Sequence, residues 1–509
     1  MDLINTLEGL SELPSGPYFL HGPNLHQAWR LYDDEYGAFT FGVIPDDVDQ
    51  PKEYQPLTSS SVRGDSVTVP VPSRLYYPKP SPQKPLSGIR VSLSDTISLK
   101  GTHTTFSSRA WKSLYKDPSD DTAKYAQELM DQGAIIVGKT KTTQFGTGED
   151  WVDEQAPWSA RGDGYQRIQG ASVGAASALV GYEWLDHSVG VDDDMIPTEN
   201  GIYSLIHTAN ISTDDIKTVS NQKTESEKEK PPSRIIIPTD LSSVDQMQKI
   251  AMVQFVSTLE ELSDTKAEYV NISGVWEMDP PAEASKETME EYMSNTPLRS
   301  WCYDYTRAFD DFRNDYRQQF NKKPFVEDTP EFLWDECKHE PKEHREDEKR
   351  LEIYRKWFHN KVMSISTAPN AEENSIVVLP CGDSDVNYRH DYLSHRMSSI
   401  YNNIDFKTLA PVLGATVLSF PVTQLPYKSN ITDTTEYLPL CISVLSLHGD
   451  DKSVIRWVEK VLQKDKVPTK VEVGRTAFPV KESDYTLNEE SDYSLEHSQD
   501  PLLVQGSWL

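Results

Sequence analysis

Apolar and polar positions divide the chain into alternating strand-like and helix-like stretches. From Gly88 to Ser94 (GIRVSLS) apolar Ile89, Val91 and Leu93 alternate with polar partners, the period of a strand. From Asp121 the pattern becomes helical through Ala126, Leu129 and Met130. Gly133 supplies the expected stop before the apolar run AIIVGKT, which reads as a buried strand. Arg234 to Pro238 predicts another strand. Ser243 and Gln246 predict a capping box for a helix that carries Met247, Ala251, Phe255, Leu259 and Leu262 on one stripe. Residues 280–363 read as mostly helical, with Leu351, Tyr354, Phe358 and Val362 forming an apolar stripe on a highly charged helix. Strands return at 375–380, 415–422 and 438–447, and a helix follows through Val454, Ile455, Val458 and Leu462. The alternation predicts an α/β sheet covered by helices on both faces.

The ends break this pattern. Residues 1 to about 69 hold scattered aromatics without a helical period, which predicts a small β-rich appendage. Prolines at 70, 72, 78, 80, 82 and 85 enforce extended backbone and mark a connector. Residues 1–86 are therefore expected to form an N-terminal extension and connector, and 87–479 the main domain. An acidic tail with no basic residue after Lys481, residues 480–509, is expected to be disordered.

Composition narrows the partners. A formal net charge of -30 disfavours nucleic acid and anionic membrane surfaces over most of the molecule. No run of eighteen apolar residues occurs. The first residues lack the basic start and apolar core of a signal peptide. Four cysteines, at 302, 337, 381 and 441, are widely spaced and lack any CxxC pair, so reduced thiols in a cytoplasmic protein are expected. On that premise the sequons at Asn210, Asn271 and Asn430 carry no glycan, and Arg161-Gly162-Asp163 has no adhesion role. No cofactor or metal is called for.

Candidate chemistry concentrates in residues 161–201. Ser172 to Ala178 (SVGAASA) is a run of small residues, as a chain uses where backbone packs closely or approaches a ligand. Twenty residues on stand Asp192, Asp193 and Asp194, carboxylates able to hold a hard cation, although a solvated acidic turn is the plainer reading. The same holds for Cys381 to Asp385 with His390 and His395. Ser188 beside His187 offers a nucleophile and base, but adjacent residues on a strand point to opposite faces.

Three segments carry a resemblance. GIRVSLSDTISLKGTHTT resembles the motif GxPVxVKDNxDVKGxxTT of the amidase signature family, and LMDQGAIIVGKTKTTQFG resembles that family's LxxAGAxxVGKTNxxEFA. SVGAASA followed by the 190–201 stretch is similar in layout to its paired serine motifs. The stretches WVDEQAPWSARGDGYQ, YEWLD, AFDDFRNDYRQQF, TEYLPLCISVLS and GRTAF resemble a fungal subgroup usually named scytalone dehydratase-like, which carries an N-terminal extension. The resemblance implies a mixed sheet of roughly eleven strands within helices.

It also implies a catalytic lysine, a cis-serine and a nucleophilic serine. Carried over position by position, the lysine falls on Ser94, the cis-serine on Ser172 and the motif's aspartate on Asp192. Asp193 and Asp194 stand where the nucleophile and its glycines belong. Asp95, Val173, Gly174, Gly190, Asp193 and Asp194 are expected to line the cleft. The first functional reading is a noncatalytic protein that binds a small molecule, neutral or cationic, or a partner protein in the cleft. The alternatives are an enzyme of altered chemistry in fungal secondary metabolism and, last, an amide hydrolase with relocated catalytic groups. Ser94, Ser172 and Asp192 are expected within about 15 Å of one another.

Overall fold

The computed structural model describes residues 13–57, 59–61, 64, 66–168, 170–191, 205–209, 231–241, 245–337, 341–364, 374–381, 385–391, 404–447 and 450–480. The N-terminal stretch is β-rich, with β1 (Tyr18–His21), β2 (Asn24–Gln27), β3 (Arg30–Asp33), β4 (Phe39–Pro45), β5 (Tyr54–Leu57) and β6 (Thr68–Val71). The next strands are β7 (Arg90–Ser94), β8 (Ile135–Thr140), β9 (His187–Val191) and β10 (Leu205–Ala209). They form a six-stranded sheet of order β10-β9-β7-β8-β4-β5. Strand β7 runs parallel to both β8 and β9, whereas β4 pairs antiparallel with β8. The stretch read as an appendage therefore contributes two strands to the main sheet.

A second sheet of five strands has the order β12-β11-β13-β15-β14. It consists of β11 (Arg234–Pro238), β12 (Ala267–Val270), β13 (Ser375–Pro380), β14 (Thr416–Lys428) and β15 (Thr435–Ser446). Helices cover both faces of each sheet. On the first sheet, Val91, Leu93, Ile136 and Val189 pack with Leu129 and Met130 of the helix Lys124–Asp131. On its other face, Ile135 and Val137 meet Ala178 of the helix Val173–Gly181. On the second sheet, Leu351, Tyr354 and Phe358 form part of one core, as their stripe predicts. The helices Gln246–Ser263 and Asp451–Lys464 build the other.

Two local expectations need correction. The helix Gln246–Ser263 is capped by Asp245, whose side chain accepts the Gln248 N–H at 3.0 Å; Ser243 lies outside the described residues. Its buried stripe is Met252, Phe255, Val256 and Leu259, and Met247 is 46% exposed. Apolar residues on two flanks of this helix make the stripe ambiguous by about one position. The cysteines also differ from expectation. Cys302 bonds to Cys337 and Cys381 to Cys441, with Cα–Cα distances of 5.3 Å in both pairs. Spacing in sequence does not reveal pairing in space, because helices and strands far apart along the chain bring these residues together. The acidic tail from 481 and the charged run at 223–230 lie outside the described residues. Among the described residues, no helix is long and apolar enough to cross a membrane.

Candidate functional site

Three neighbouring strands and one helix make the site. Strand alternation puts Ser92 and Ser94 of β7 on the face opposite Val91 and Leu93. The register matches Ser92 to Ser188 of β9, and the two hydroxyls lie 2.6 Å apart, fully buried. His187 is in register with Val91 and so belongs to the other face. This separates it from Ser188, as strand alternation predicts. The serine-bearing face is built from small residues, which lets the helix Val173–Gly181 approach closely. A side chain at Gly190 would meet the Ser172 Cβ at 2.5 Å, and one at Gly174 would meet the Ala38 carbonyl oxygen and the Lys141 nitrogen at 2.5 Å. The run SVGAASA is therefore a packing requirement before it is anything chemical.

Ser172 stands at the N-cap of that helix, where a serine ordinarily accepts a backbone N–H of the first turn. It makes no such bond. Its hydroxyl donates to the Val191 carbonyl at 2.6 Å and accepts the Val191 N–H at 2.7 Å, clasping the end of β9. The Ser94 hydroxyl lies 3.4 Å from that of Ser172 and accepts from Thr96 at 3.3 Å. Ser94, Ser172, Gly190 and Val191 thus meet at one point. Asp192, Asp193 and Asp194 begin directly after Val191 and lie outside the described residues, as does His395. Among the described residues, no titratable side chain hydrogen-bonds to the hydroxyl of Ser94 or Ser172.

Asp95 follows in the chain and is fully buried. Its Oδ2 accepts the Thr105 N–H, the Thr105 hydroxyl and the Phe106 N–H at 2.7–2.9 Å. This holds the GTHTTFSS turn, where Phe106 and Ser107 both adopt φ 49. A left-handed pair of non-glycine residues is held only by surroundings that over-determine it. Oδ1 is buried without a hydrogen-bond partner among the described residues. Burial pushes the Asp95 carboxyl upward, against the pull of Lys139 and its three donors.

Lys139 is a site residue that periodicity did not single out. It is fully buried in β8 in register with Leu93, hence on the face opposite Ser94. Its ammonium donates to the carbonyls of Asp95, at 3.0 Å, and Ile97, at 2.5 Å. Burial lowers its pKa to about 8, with the Asp95 carboxylate acting in the opposite sense. The signal in sequence is a lone charge inside AIIVGKT, since a lysine is kept in a buried strand only with partners. Held by two carbonyls on the far face, it organises the β7 exit and gives no proton relay to Ser94.

These strands fall within a recognisable block of sequence. Residues 75–193 match the Amidase family model. A glutamyl-tRNA(Gln) amidotransferase subunit from Methanospirillum hungatei is 36% identical over 108 residues, 21% of this chain and 24% of that protein. The mitochondrial counterpart from Anopheles gambiae is 35% identical over 106 residues, 20% of this chain and 21% of that protein. The chain thus matches about a quarter or less of the length of these curated relatives. The solved structure of a 6-aminohexanoate cyclic dimer hydrolase superposes with a TM-score of 0.53 at 14% identity, covering 74% of this chain and 85% of that one. A Kluyveromyces lactis allophanate hydrolase variant gives a TM-score of 0.55 at 14% identity, covering 79% and 66%. The chain has an amidase-signature-like fold. In this fold β7, β8 and β9 all fall in the matched block, together with the serine cluster between them.

The RGD tripeptide serves the fold. Arg161 is buried and donates to the carbonyls of Glu472, Gly474 and Thr476 at 2.7–2.8 Å, while Asp163 accepts from Ser429 and the Tyr165 N–H.

Proposed function

We propose that this amidase-signature chain is a noncatalytic binding protein whose cleft beside Ser94 and Ser172 takes a neutral or cationic small molecule. The observation that carries the reading is the state of the two hydroxyls. Ser94 occupies the strand position to which the motif resemblance assigns the lysine, and among the described residues its hydroxyl bonds to two other alcohols. The Ser172 proton is committed to the Val191 carbonyl, and an alcohol activated by no base is a poor nucleophile near neutral pH. The acidic run at 192–194 in place of the nucleophile and its glycines agrees with this, as does the net charge, which repels anions. The relatives are named for amidotransferase and hydrolase activities, and this reading carries neither activity over to the chain.

Labelling with a fluorophosphonate probe tests the reading. No label and no turnover of simple aliphatic or aromatic amides are expected, for the native chain and for Ser94→Lys alike. Labelling that disappears in Ser172→Ala or Ser188→Ala overturns it.

A further inference from the structure

We propose that this chain works as a disulfide-bonded glycoprotein: Cys302–Cys337 and Cys381–Cys441 are its native cystines, and Asn271 and Asn430 carry N-linked glycans.

The cysteines provide the first observation. The pairs are separated by 35 and 60 residues in sequence, yet all four thiols of the chain find a partner. Both Cα–Cα distances, 5.3 Å, lie within the span that a disulfide bridges. The two pairs arise in unrelated settings. Cys302 lies in the helix Thr296–Ala308 and Cys337 ends the helix Asp328–Glu336, inside an aromatic cluster. Cys381 directly follows β13, and the pairing of Pro380 with Ile442 carries on to set it opposite Cys441 of β15. A reducing compartment gives no reason for every thiol to sit against another, whereas an oxidising one does. Each bridge forms by exchange with a disulfide-bearing oxidant: the oxidant's S–S bond is reduced to two thiols as the chain's S–S bond forms, through a mixed disulfide.

The sequons provide the second. Their reading as unmodified rested on the character of the first residues and on reduced thiols, and the thiols are paired instead. Asn430 sits exposed in the turn that joins β14 to β15, with Thr432 two residues on. Its backbone N–H is anchored on the Tyr388 hydroxyl at 2.8 Å. Asn271 is an exposed helix N-cap, with Ser273 two residues on, and its Oδ1 accepts the Gly274 N–H at 2.6 Å. That bond leaves Nδ2 of Asn271 for the sugar, so modification and capping are compatible. Sequons on exposed turns are the acceptors in secreted proteins. The donor is a lipid-diphosphate-linked oligosaccharide. Nδ2 forms a bond to the sugar C1, the C1–O bond to the diphosphate breaks, and Nδ2 loses one proton. Asn210 lies outside the described residues.

The test uses the full chain purified from its own source. It is denatured and alkylated with iodoacetamide before and after reduction, then treated with a peptide-N-glycosidase, with mass spectrometry at each step. The expected result is no alkylation until reduction, then alkylation at all four cysteines. Cross-linked peptides join 302 to 337 and 381 to 441. The glycosidase lowers the mass, and Ser273→Ala and Asn430→Gln each remove one glycan; Ser273→Ala leaves the Asn271 cap in place. Alkylation of any of these cysteines in the unreduced chain, or a mass unchanged by the glycosidase, overturns the proposal.

Discussion

At the scale of single residues, the site shows how one hydroxyl replaces a hydrogen bond expected elsewhere. Ser172 forgoes capping its own helix and joins β9 instead. Lys139 and Asp95 make the sharper test, because both are fully buried and each is shifted toward its neutral form by burial. For Lys139 the folded pKa of about 8 lies below the ordinary lysine value of 10.5. Between those values the unfolded chain binds more protons than the folded one, so this residue makes stability rise with pH across that window. Asp95, shifted the other way, makes stability fall as pH rises through its acid range. Replacing Lys139 with Met should cost about 3 kcal/mol at neutral pH, because it leaves the Asp95 carboxylate buried without its compensating charge. The cost should shrink as acid neutralises Asp95, and the alkaline rise should vanish. Urea unfolding across the pH range measures both; a variant as stable as the native chain at neutral pH would remove Lys139 from this role.

Packing of the small-residue helix against the sheet supplies a prediction at the scale of elements. In a free helix, Gly to Ala is favourable by about 1 kcal/mol. At Gly174 the sign should reverse, since the added methyl meets backbone atoms of Ala38 and Lys141 that have little freedom to move. Gly174→Ala should destabilise by about 1–3 kcal/mol. Ala176→Gly, on the exposed side of the same helix, should cost only about 1 kcal/mol. Thermal or urea unfolding of the two variants decides it.

These elements also show what could be read from the sequence. GIRVSLS, RIIIP and SIVVLP gave their strands away, because alternation or a short apolar run bounded by turn residues leaves few other readings. The stripe of Leu351, Tyr354, Phe358 and Val362 is equally clear. The pairing of β4 with β8 was not, because a strand's own pattern says which face is buried and not which distant strand lies beside it. The meeting of Ser94 with Ser172 followed from motif layout. The clasp on Val191 did not, since it depends on the close approach that Gly190 permits. Cysteine pairing was hidden for the same reason as strand pairing.

At the scale of the whole molecule, Arg161 ties two segments more than three hundred residues apart. Its guanidinium donates to three carbonyls of the 472–476 segment, and Arg475 answers by donating to the Gly162 carbonyl and pairing with Glu436. Burial lowers the Arg161 pKa to about 10, still far enough above neutrality to keep the charge. Replacing it with Met would keep much of the stem's packing but strand three inward-facing carbonyls, each of which carries a desolvation cost of about 1–3 kcal/mol if left unpaired. Water reaching the released segment will recover part of that cost, so Arg161→Met should destabilise by about 3 kcal/mol in total, near the value for breaking a buried charge interaction. The loss should also be local before it is global, because among the described residues the segment's remaining polar ties to the body run only through Gln424, Val180, Gly162 and Glu436, while Arg161 alone holds three of its carbonyls. Limited proteolysis under native conditions should therefore cut Arg161→Met near residues 470–480 well before the native chain is cut there. A variant cut at the same rate and place as the native chain would show that the segment is held by its other contacts and that the Arg161 clamp is dispensable.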